Sequence, residues 1–422
     1  AAAASSLPRS APSPAMAIFT AAVALLAARG ADARPLRDVI PRLFGGCVTL
    51  GTAQRCEPLQ PTGLEQLSAL SSLLRGGFAP PPLPSPSGAF RFAWDPRYDT
   101  YVRQSEGLAP LFAERATTLG AGQVIVDVSY THASFDSFEG RSLDALEFTE
   151  SAFSAAFLDS LPGRIDTEPF ADDVLLTTAD VRLVSDTVFV GGAYGLTDRI
   201  DVGAGFTVSR VRFKGDVRSE IRERSDLGRR GDAVFVLDPP ATERFCEVGG
   251  AKDQRCVTSS FDETRSGFGD VYLRGKWQFA RTAIADLGAS TTVTIPTDGA
   301  DDFLGFDEPT WTPRLIASRR FDALSLHANL GYSVRTGDDV GQLQWILGSE
   351  MRALEWMTLG ADFLGGHEED RDGISDDVVQ VALGFKVNPF GQAVVAANVQ
   401  LPLNRDGLRA DAIYTVQVEQ TF

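Results

Sequence analysis

His132 and Ser134 are residues whose types and spacing could support nucleophilic catalysis. They stand two positions apart, so their side chains would share one face of a β-strand. Tyr130 falls on the same face, which we predict to point outward to lipid. A serine hydrolase also needs a third group that orients the imidazole, and Glu147 is the acid that the following segment supplies. We treat this set as the weaker interpretation and predict that the protein is not an enzyme.

A second set of polar residues alternates with apolar ones in the segments after residue 267. The alternation collects these side chains on one face of each predicted strand, and their charges indicate that this face is wet. Side chains of mixed charge can select or hold a solute in a pore, while the alternative is salt bridges that brace the wall. The predicted lumen-lining residues are Asp270, Arg274, Lys276, Asp286, His327, Asn329, Asp362, Gln380 and Lys386.

The acidic run Asp370–Asp377 has the composition of a calcium loop. A complete loop of this kind needs a bidentate glutamate at its twelfth position, which here is Val381. We therefore predict a solvated loop, no bound metal and no cofactor. The alternative is a weak calcium contact that bridges to lipopolysaccharide.

The last ten residues of the chain, Ile413–Phe422, indicate the kind of element that would position these side chains. Tyr414, Val416, Val418 and Phe422 fall on one face and polar residues on the other, which is the period of a strand. A strand with an apolar face that ends on a bare aromatic resembles the C-terminal signature of bacterial outer-membrane β-barrels. The resemblance implies that this strand closes the barrel and that the barrel-assembly machinery recognises Phe422.

Segments of about ten residues with the same alternation recur along most of the chain, separated by turns. They predict an all-β fold, namely a closed antiparallel up-and-down transmembrane β-barrel. Short turns alternate with long acidic ones, which places the short turns on the periplasmic side. Counting these segments gives fourteen strands, with 174–184 and 187–195 as separate strands. If 142–151 and 122–132 belong elsewhere, the barrel has twelve.

Composition limits the possible classes of function. The chain has 422 residues and a formal charge of −17, whereas a nucleic-acid-binding protein needs a basic face. Acidic solvated loops account for this charge. The mean hydropathy of −0.04 suits strands whose two faces average to neutral. After the amino terminus no run of about 18 uncharged apolar residues occurs, which excludes a helical membrane protein.

The amino-terminal part of the chain differs from the strands that follow. Residues 17–28 form an apolar core of signal-peptide length, and the small residues of 31–33 supply a cleavage site. We predict a signal peptide at 1–33, a partly helical periplasmic extension or lumen plug at 34–120, and the barrel at 121–422.

The four cysteines fall into two close pairs, Cys47 with Cys56 and Cys246 with Cys256. Each pair brackets a short loop and lacks the CxxC spacing of a zinc or redox site. We predict two disulfides formed in an oxidising compartment, with four free thiols as the alternative.

Two motifs, Tyr194–Gly203 and Gly267–Val271, resemble the bacterial outer-membrane family named for the meta-pathway of phenol degradation. The runs Phe112–Ala116 and Ser134–Gly140 resemble an uncharacterised subset of that family. The resemblance covers residues 112–422 and offers no catalytic motif. It implies a barrel that passes small, often aromatic, molecules.

We therefore expect a passive channel in the bacterial outer membrane for small, hydrophobic or aromatic molecules. Its expected partners are outer-membrane lipids and lipopolysaccharide, the barrel-assembly machinery acting through the Phe422 strand, and the solute, but no nucleic acid. One alternative is a non-transporting barrel that presents loop 214–266 for binding. The other is an outer-membrane lipid hydrolase that uses Ser134.

Overall fold

The computed structural model describes fifteen stretches of the chain, most of them in its carboxyl-terminal three quarters. The predicted signal peptide, the predicted helical part of 34–120 and the acidic run 370–376 lie outside the described residues, as do the side chains of Cys47 and Cys56. The described residues are 47–50, 56–58, 92–95, 97, 100–103, 107–138, 140–151, 174–222, 235–238, 244–248, 251–297, 302–306, 308–336, 341–368 and 377–422.

These residues form twenty β-strands, numbered here in chain order. A 3-10 helix spans Leu143–Ala145, and no helix in the described ranges is both long and apolar enough to cross a membrane. The strands are β1 Cys47–Leu50, β2 Cys56–Pro58, β3 Phe92–Asp95, β4 Thr100–Arg103, β5 Val124–Phe138, β6 Arg141–Ser142, β7 Leu146–Ser151, β8 Val174–Thr197, β9 Ile200–Arg222, β10 Phe235–Asp238, β11 Arg244–Val248, β12 Ala251–Arg281, β13 Asp286–Ile295, β14 Thr310–Phe321, β15 Leu324–Arg335, β16 Gly341–Leu354, β17 Met357–Glu368, β18 Asp377–Phe390, β19 Ala393–Pro402 and β20 Leu408–Thr421.

Twelve of these strands form one closed antiparallel barrel. Strands β12 to β20 each pair with the next, β8 and β9 precede β12 in the wall, and β5 closes it by pairing with both β20 and β8. Because every wall strand has two neighbours, the barrel has no open edge for another chain to pair with. The predicted all-β closed barrel is confirmed, at the lower of the two predicted strand numbers.

The prediction of fourteen strands was wrong at two places in the wall. Residues 174–184 and 187–195 belong to the single strand β8. The polar pair Ser185 and Asp186 suggested a turn, but Ser185 is buried and Asp186 points outward, so the alternation passes through them unbroken. The predicted strand 142–151 corresponds to β6, the 3-10 helix and β7, and β7 pairs only with the outer part of β8.

The wall carries its apolar side chains on the outside. On β15, Leu326 and Leu330 are 43% and 51% exposed, whereas the intervening His327 and Asn329 are 5% and 3% exposed. This distribution is the reverse of that in a soluble protein and matches a wall that faces lipid. Other exposed apolar side chains include Leu315, Leu347, Phe363, Leu383, Tyr414 and Val416.

The strands β8, β9 and β12 extend beyond this apolar band. They contain 24, 23 and 31 residues, whereas a tilted strand crosses a membrane with about ten. Along β9 the exposed outward side chains change from Val202 to Arg210, Arg212 and Lys214, which marks the height where the wall leaves the apolar layer. We call the part of these strands above that height, together with β7 and β11, the wing.

Much of the predicted loop 214–266 is strand within the wing, so that prediction was wrong. Lys214 pairs with Asp262, and the register continues to the pair Glu220 and Cys256. The stretch suggested a loop because its outward positions are charged, but these positions lie outside the apolar layer and face water. The disulfide Cys246–Cys256 joins β11 to β12 in the wing, as predicted.

The inner face of the wing covers a hydrophobic cluster above the barrel. Its members include Phe213, Val217 and Leu183 from the long strands and Phe303 and Leu304 from the connection between β13 and β14. Apolar packing at this height draws that connection inward over the mouth of the barrel.

Candidate functional site

Residues 107–122, which we call the inner segment, lie inside the barrel immediately before β5. Leu108, Phe112, Ala116 and Leu119 are at most 2% exposed, although the segment belongs to no helix or strand. Its apolar part packs against Ile346 and neighbouring wall residues of β17 and β18. The inner segment therefore fills one level of the lumen.

Wall side chains satisfy the backbone of the inner segment. The amides of Phe112 and Ala113 donate to Asp362 Oδ2 at 2.6 and 2.8 Å. The amide of Glu114 donates to Asn329 Oδ1 at 2.6 Å, and Asn329 Nδ2 donates back to the Glu114 carbonyl at 3.1 Å. A buried segment without a partner strand would otherwise leave these groups unpaired at a high cost. Asp362 and Asn329 thus replace a neighbouring strand.

A buried ion pair fixes the middle of the inner segment to β16. The Nη2 atom of Arg115 lies 2.7 and 2.8 Å from the two carboxylate oxygens of Glu350, and its Nε lies 3.2 Å from Oε1. Both side chains are largely buried, at 11% and 4% exposure. Gly348 admits the chain here, because a Cβ atom at that position would lie 2.4 Å from the Cβ of Ala113.

Glu114 anchors the next part of the inner segment to two further strands. Its Oε1 accepts from Arg314 Nη1 at 2.9 Å, and its Oε2 contacts Arg274 Nη2. Burial would raise the pKa of Glu114, which is not on a membrane-spanning strand, but Arg274, Arg314 and Lys276 outweigh burial and lower it to about 2. The carboxylate is therefore charged at any physiological pH.

The far end of the inner segment crosses to β9 and turns into the wall. Lys276 Nζ donates to the Thr117 carbonyl at 2.6 Å, and the Leu119 amide donates to both Asp201 oxygens at 3.1 Å. The Gly122 amide then donates to the Gly195 carbonyl at 2.8 Å. The segment is thus bound on opposite sides of the barrel and spans the lumen near the short-turn end.

A cavity of about 420 Å³ lies between the inner segment and the wing. This volume is in the range of pockets that hold small organic ligands. Its lining combines polar side chains, such as Arg274, Arg314 and Gln344, with apolar ones, such as Phe189 and Ile413. The inner segment supplies its floor.

A bulge in β12 shapes the upper rim of the cavity. Phe268 pairs with Val208 and Val271 with Phe206, so two residues on β12 face the single residue between them on β9. One of the two, Asp270, is fully buried and accepts the Phe306 amide at 3.0 and 3.2 Å. The bulge therefore holds the inward connection between β13 and β14.

The structure places five of the predicted lumen-lining residues at the cavity or the inner segment. Arg274, Lys276 and Gln380 line the cavity. Asn329 and Asp362 bind the backbone of the inner segment. Their part in selecting a solute stays a prediction.

The other four predicted residues are not in the cavity lining, and none of them is hydrogen-bonded to the backbone of the inner segment in the described ranges. Asp270 is at the upper rim, and Lys386 is buried near the short-turn end of β18. His327 Nδ1 lies 2.9 Å from the hydroxyl of Ser318, and its Nε2 lies 3.6 Å from Glu350 Oε1, so His327 lies beside the residues that hold the inner segment. Asp286 is the register neighbour of Ser318. These residues do not converge with Arg274 on one point.

Several residues of the site were not among those predicted, including Glu350, Arg314 and Asp201. Glu350 and Arg314 point inward on strands whose alternation is visible, and their position on the polar face was the available signal. Asp201 lies just after a short turn and was read as part of a turn motif.

The pair His132 and Ser134 on the outer face has a different third group from the predicted Glu147. Asp186 Oδ1 on the neighbouring β8 lies 2.8 Å from His132 Nδ1 and also accepts from the Tyr130 hydroxyl at 2.6 Å. Glu147 lies on β7, which is not part of the closed wall. Ser134 is exposed, and no hydrogen bond joins it to His132 in the part of the chain that the structure describes.

Comparison with solved structures finds several outer-membrane proteins of low sequence identity. An outer-membrane channel of Pseudomonas putida F1 is 13% identical with a TM-score of 0.44, over 73% of this chain and 98% of that one. The toluene transporter TodX of Pseudomonas putida is 11% identical with a TM-score of 0.32, over 73% and 91%. A FadL homologue of Pseudomonas aeruginosa is 10% identical with a TM-score of 0.30, over 71% and 90%.

No curated protein sequence matches the chain. The family described as "Putative MetA-pathway of phenol degradation" matches residues 197–404, from the turn between β8 and β9 to the end of β19. This match includes most of the first turn motif and all of the second. This part of the chain is therefore similar to that family, as the sequence motifs indicated.

Proposed function

We propose that the protein is a passive outer-membrane channel for small hydrophobic or aromatic molecules. The observation that carries this proposal is a closed wall with lipid-facing side chains that encloses a half-apolar cavity of about 420 Å³. The family name, which refers to phenol degradation, supports an aromatic solute. The protein has no need of an energy source in this account, because the solute moves down its own gradient.

Passage in this account requires the inner segment to move. Phe112 and Glu114 form the floor of the cavity, and wall groups bind the segment from Leu108 to Leu119. Each such hydrogen bond contributes roughly 0.5–1.5 kcal/mol, so release of the whole segment is infrequent unless a solute or another factor weakens it. The wild-type channel is therefore expected to be closed most of the time.

The channel proposal predicts solute entry that depends on the inner segment. We expect liposomes with purified full-length protein to take up arbutin, an aromatic glucoside, faster than sucrose. Weakening the inner segment with Glu350→Ala should increase uptake of both solutes. The measurement is liposome swelling against protein-free vesicles.

Absence of both swelling and ion conductance, in the wild type and in Glu350→Ala alike, would exclude the channel function. That result would favour the alternative of a non-transporting barrel. The wing would then be the surface to examine for a binding partner.

Acyl hydrolysis is a second candidate function, favoured by one observation. Asp186 binds His132 Nδ1 on the outer face of the barrel, as the acid of a Ser-His-Asp set does. Ser134 shares that face, but the serine-to-histidine hydrogen bond that activates the nucleophile is not formed here. The outward cluster therefore has a histidine that an acid orients, but its serine is not hydrogen-bonded to that histidine.

For this reason we expect no hydrolysis that depends on Ser134. The measurement is fatty-acid release from phospholipid vesicles by the wild type and by Ser134→Ala. Release by the wild type that disappears in Ser134→Ala, and also in His132→Ala, would contradict this expectation and establish the enzyme.

A further inference from the structure

The charges that line the cavity are opposite in sign to those of the chain as a whole. The chain carries a formal charge of −17. The cavity lining nevertheless contains five basic residues and three acidic ones. They are Arg274, Lys276, Arg314, Arg335 and Arg409, and Glu114, Asp127 and Asp201.

The three acidic residues are already bound by protein groups. Glu114 holds Arg274 and Arg314, and Asp201 accepts the Leu119 amide. Asp127 lies 3.4 Å from Gln417 Nε2. A solute that enters the cavity therefore meets acids that are occupied.

Two of the basic residues retain capacity for a further acceptor. Arg274 and Arg314 share the single carboxylate of Glu114, so two guanidinium groups face one negative charge. Their side chains are 16% and 20% exposed, although both lie inside the lumen. The Nε atom of Arg274 is buried without a hydrogen-bond partner among the described residues, and Arg314 Nη2 donates to Gln344 Oε1 at 3.4 Å. Guanidinium groups bind carboxylates with paired, charge-assisted hydrogen bonds.

Aromatic and aliphatic side chains near these arginines suit an apolar body. Phe189 packs edge-on against Tyr272, with ring centroids 6.1 Å apart. Phe135, Leu304 and Ile413 continue the apolar lining. The cavity thus holds apolar side chains close to its guanidinium groups.

We infer that the cavity binds amphipathic anions, with an aromatic or alkyl body against the Phe189 side and a carboxylate at Arg274 and Arg314. This inference rests on the proposed channel function and narrows its solute class. A neutral aromatic molecule would gain the apolar contacts alone. A cationic one would meet the excess positive charge.

Three probes that differ in one group test this inference. The probes are 4-phenylbutyrate, 4-phenylbutanamide and 4-phenylbutylamine, titrated calorimetrically into detergent-solubilised full-length protein. We expect the carboxylate to bind at least about tenfold more tightly than the amide, and the amine to bind most weakly. Arg314→Gln should remove most of that preference, whereas Thr292→Val, an uncharged change in the same lining, should keep it.

Glu114→Gln provides a second variant if Arg314→Gln does not fold. It leaves both arginines in place without their acid, so the preference for the carboxylate should increase. Equal binding of carboxylate and amide, unchanged in the variants, would overturn the inference and leave the channel function to the liposome experiment. Absence of binding by all three probes would also overturn it, whereas absence of liposome uptake and conductance would overturn the channel function itself.

Discussion

Glu350→Ala is expected to open the channel. The substitution leaves the buried Arg115 guanidinium without its carboxylate partner, and breaking such a pair costs about 3–5 kcal/mol. The lost pair destabilises the closed channel, in which the inner segment is bound to the wall. The ratio of open to closed channels should therefore rise by about a hundredfold or more. Single-channel recording in planar bilayers measures this ratio as open probability.

An exposed pair of an arginine and a carboxylate gives the matched control. Arg212 and Asp262 bond through two contacts of 2.6 and 2.9 Å on the wing, at 54% and 44% exposure. Exposed pairs of this kind contribute little to stability because water screens them, so Arg212→Ala should leave the open probability unchanged. Replacing the buried pair with apolar residues, as Arg115→Met with Glu350→Leu, should close the channel again. An open probability in Glu350→Ala equal to that of the wild type would refute the role of this ion pair.

Gly195→Ala is expected to disrupt the junction between the inner segment and β5. A Cβ atom at Gly195 would lie 1.8 Å from the carbonyl oxygen of Gly120, which is backbone and cannot rotate away. The same junction includes hydrogen bonds from the Gly195 amide to Gln123 and from the Gly122 amide to Gly195. Forcing an extra carbon into such a contact costs roughly 1–3 kcal/mol or more.

Thermal unfolding of the folded barrel, followed by its heat-dependent migration in electrophoresis, measures this loss. Gly275→Ala is the matched control, because its nearest neighbour would be a methyl group of Thr291 at 3.9 Å, an ordinary contact. We expect Gly195→Ala to unfold several degrees below Gly275→Ala. Equal unfolding temperatures for the two variants would show that the junction tolerates the added carbon.

Alternation along the chain was sufficient to predict the barrel and most of its strands. In β15, for example, Leu326 and Leu330 alternate with His327 and Asn329, and the structure exposes the first pair and buries the second. The pattern failed where charge replaced apolar residues on the outer face. Above Arg210 on β9 the outward residues face water, so a strand there has the composition of a loop.

The inner segment was harder to predict because its contacts are distant in sequence. The amide of Phe112 bonds to Asp362, 250 residues away. Local pattern cannot reveal such a pairing, and the segment itself has neither helical nor strand period. The alternation of side chains along a strand did indicate that Arg274 and Lys276 point inward. It carried no information about the Glu114 carboxylate that Arg274 contacts.

The inner segment, when bound to the wall of the barrel, is expected to close the lumen. Ala116→Cys and Ser318→Cys place thiols where the Ala116 amide now donates to the Ser318 hydroxyl at 2.8 Å, and a short bifunctional thiol reagent can join them. These changes are made in the Glu350→Ala background, and single-channel conductance is recorded before and after crosslinking, with Glu350→Ala alone as the reagent control. We expect frequent openings that crosslinking abolishes only in the variant with both added cysteines, whereas openings that persist after complete crosslinking would show that the bound inner segment does not close the lumen.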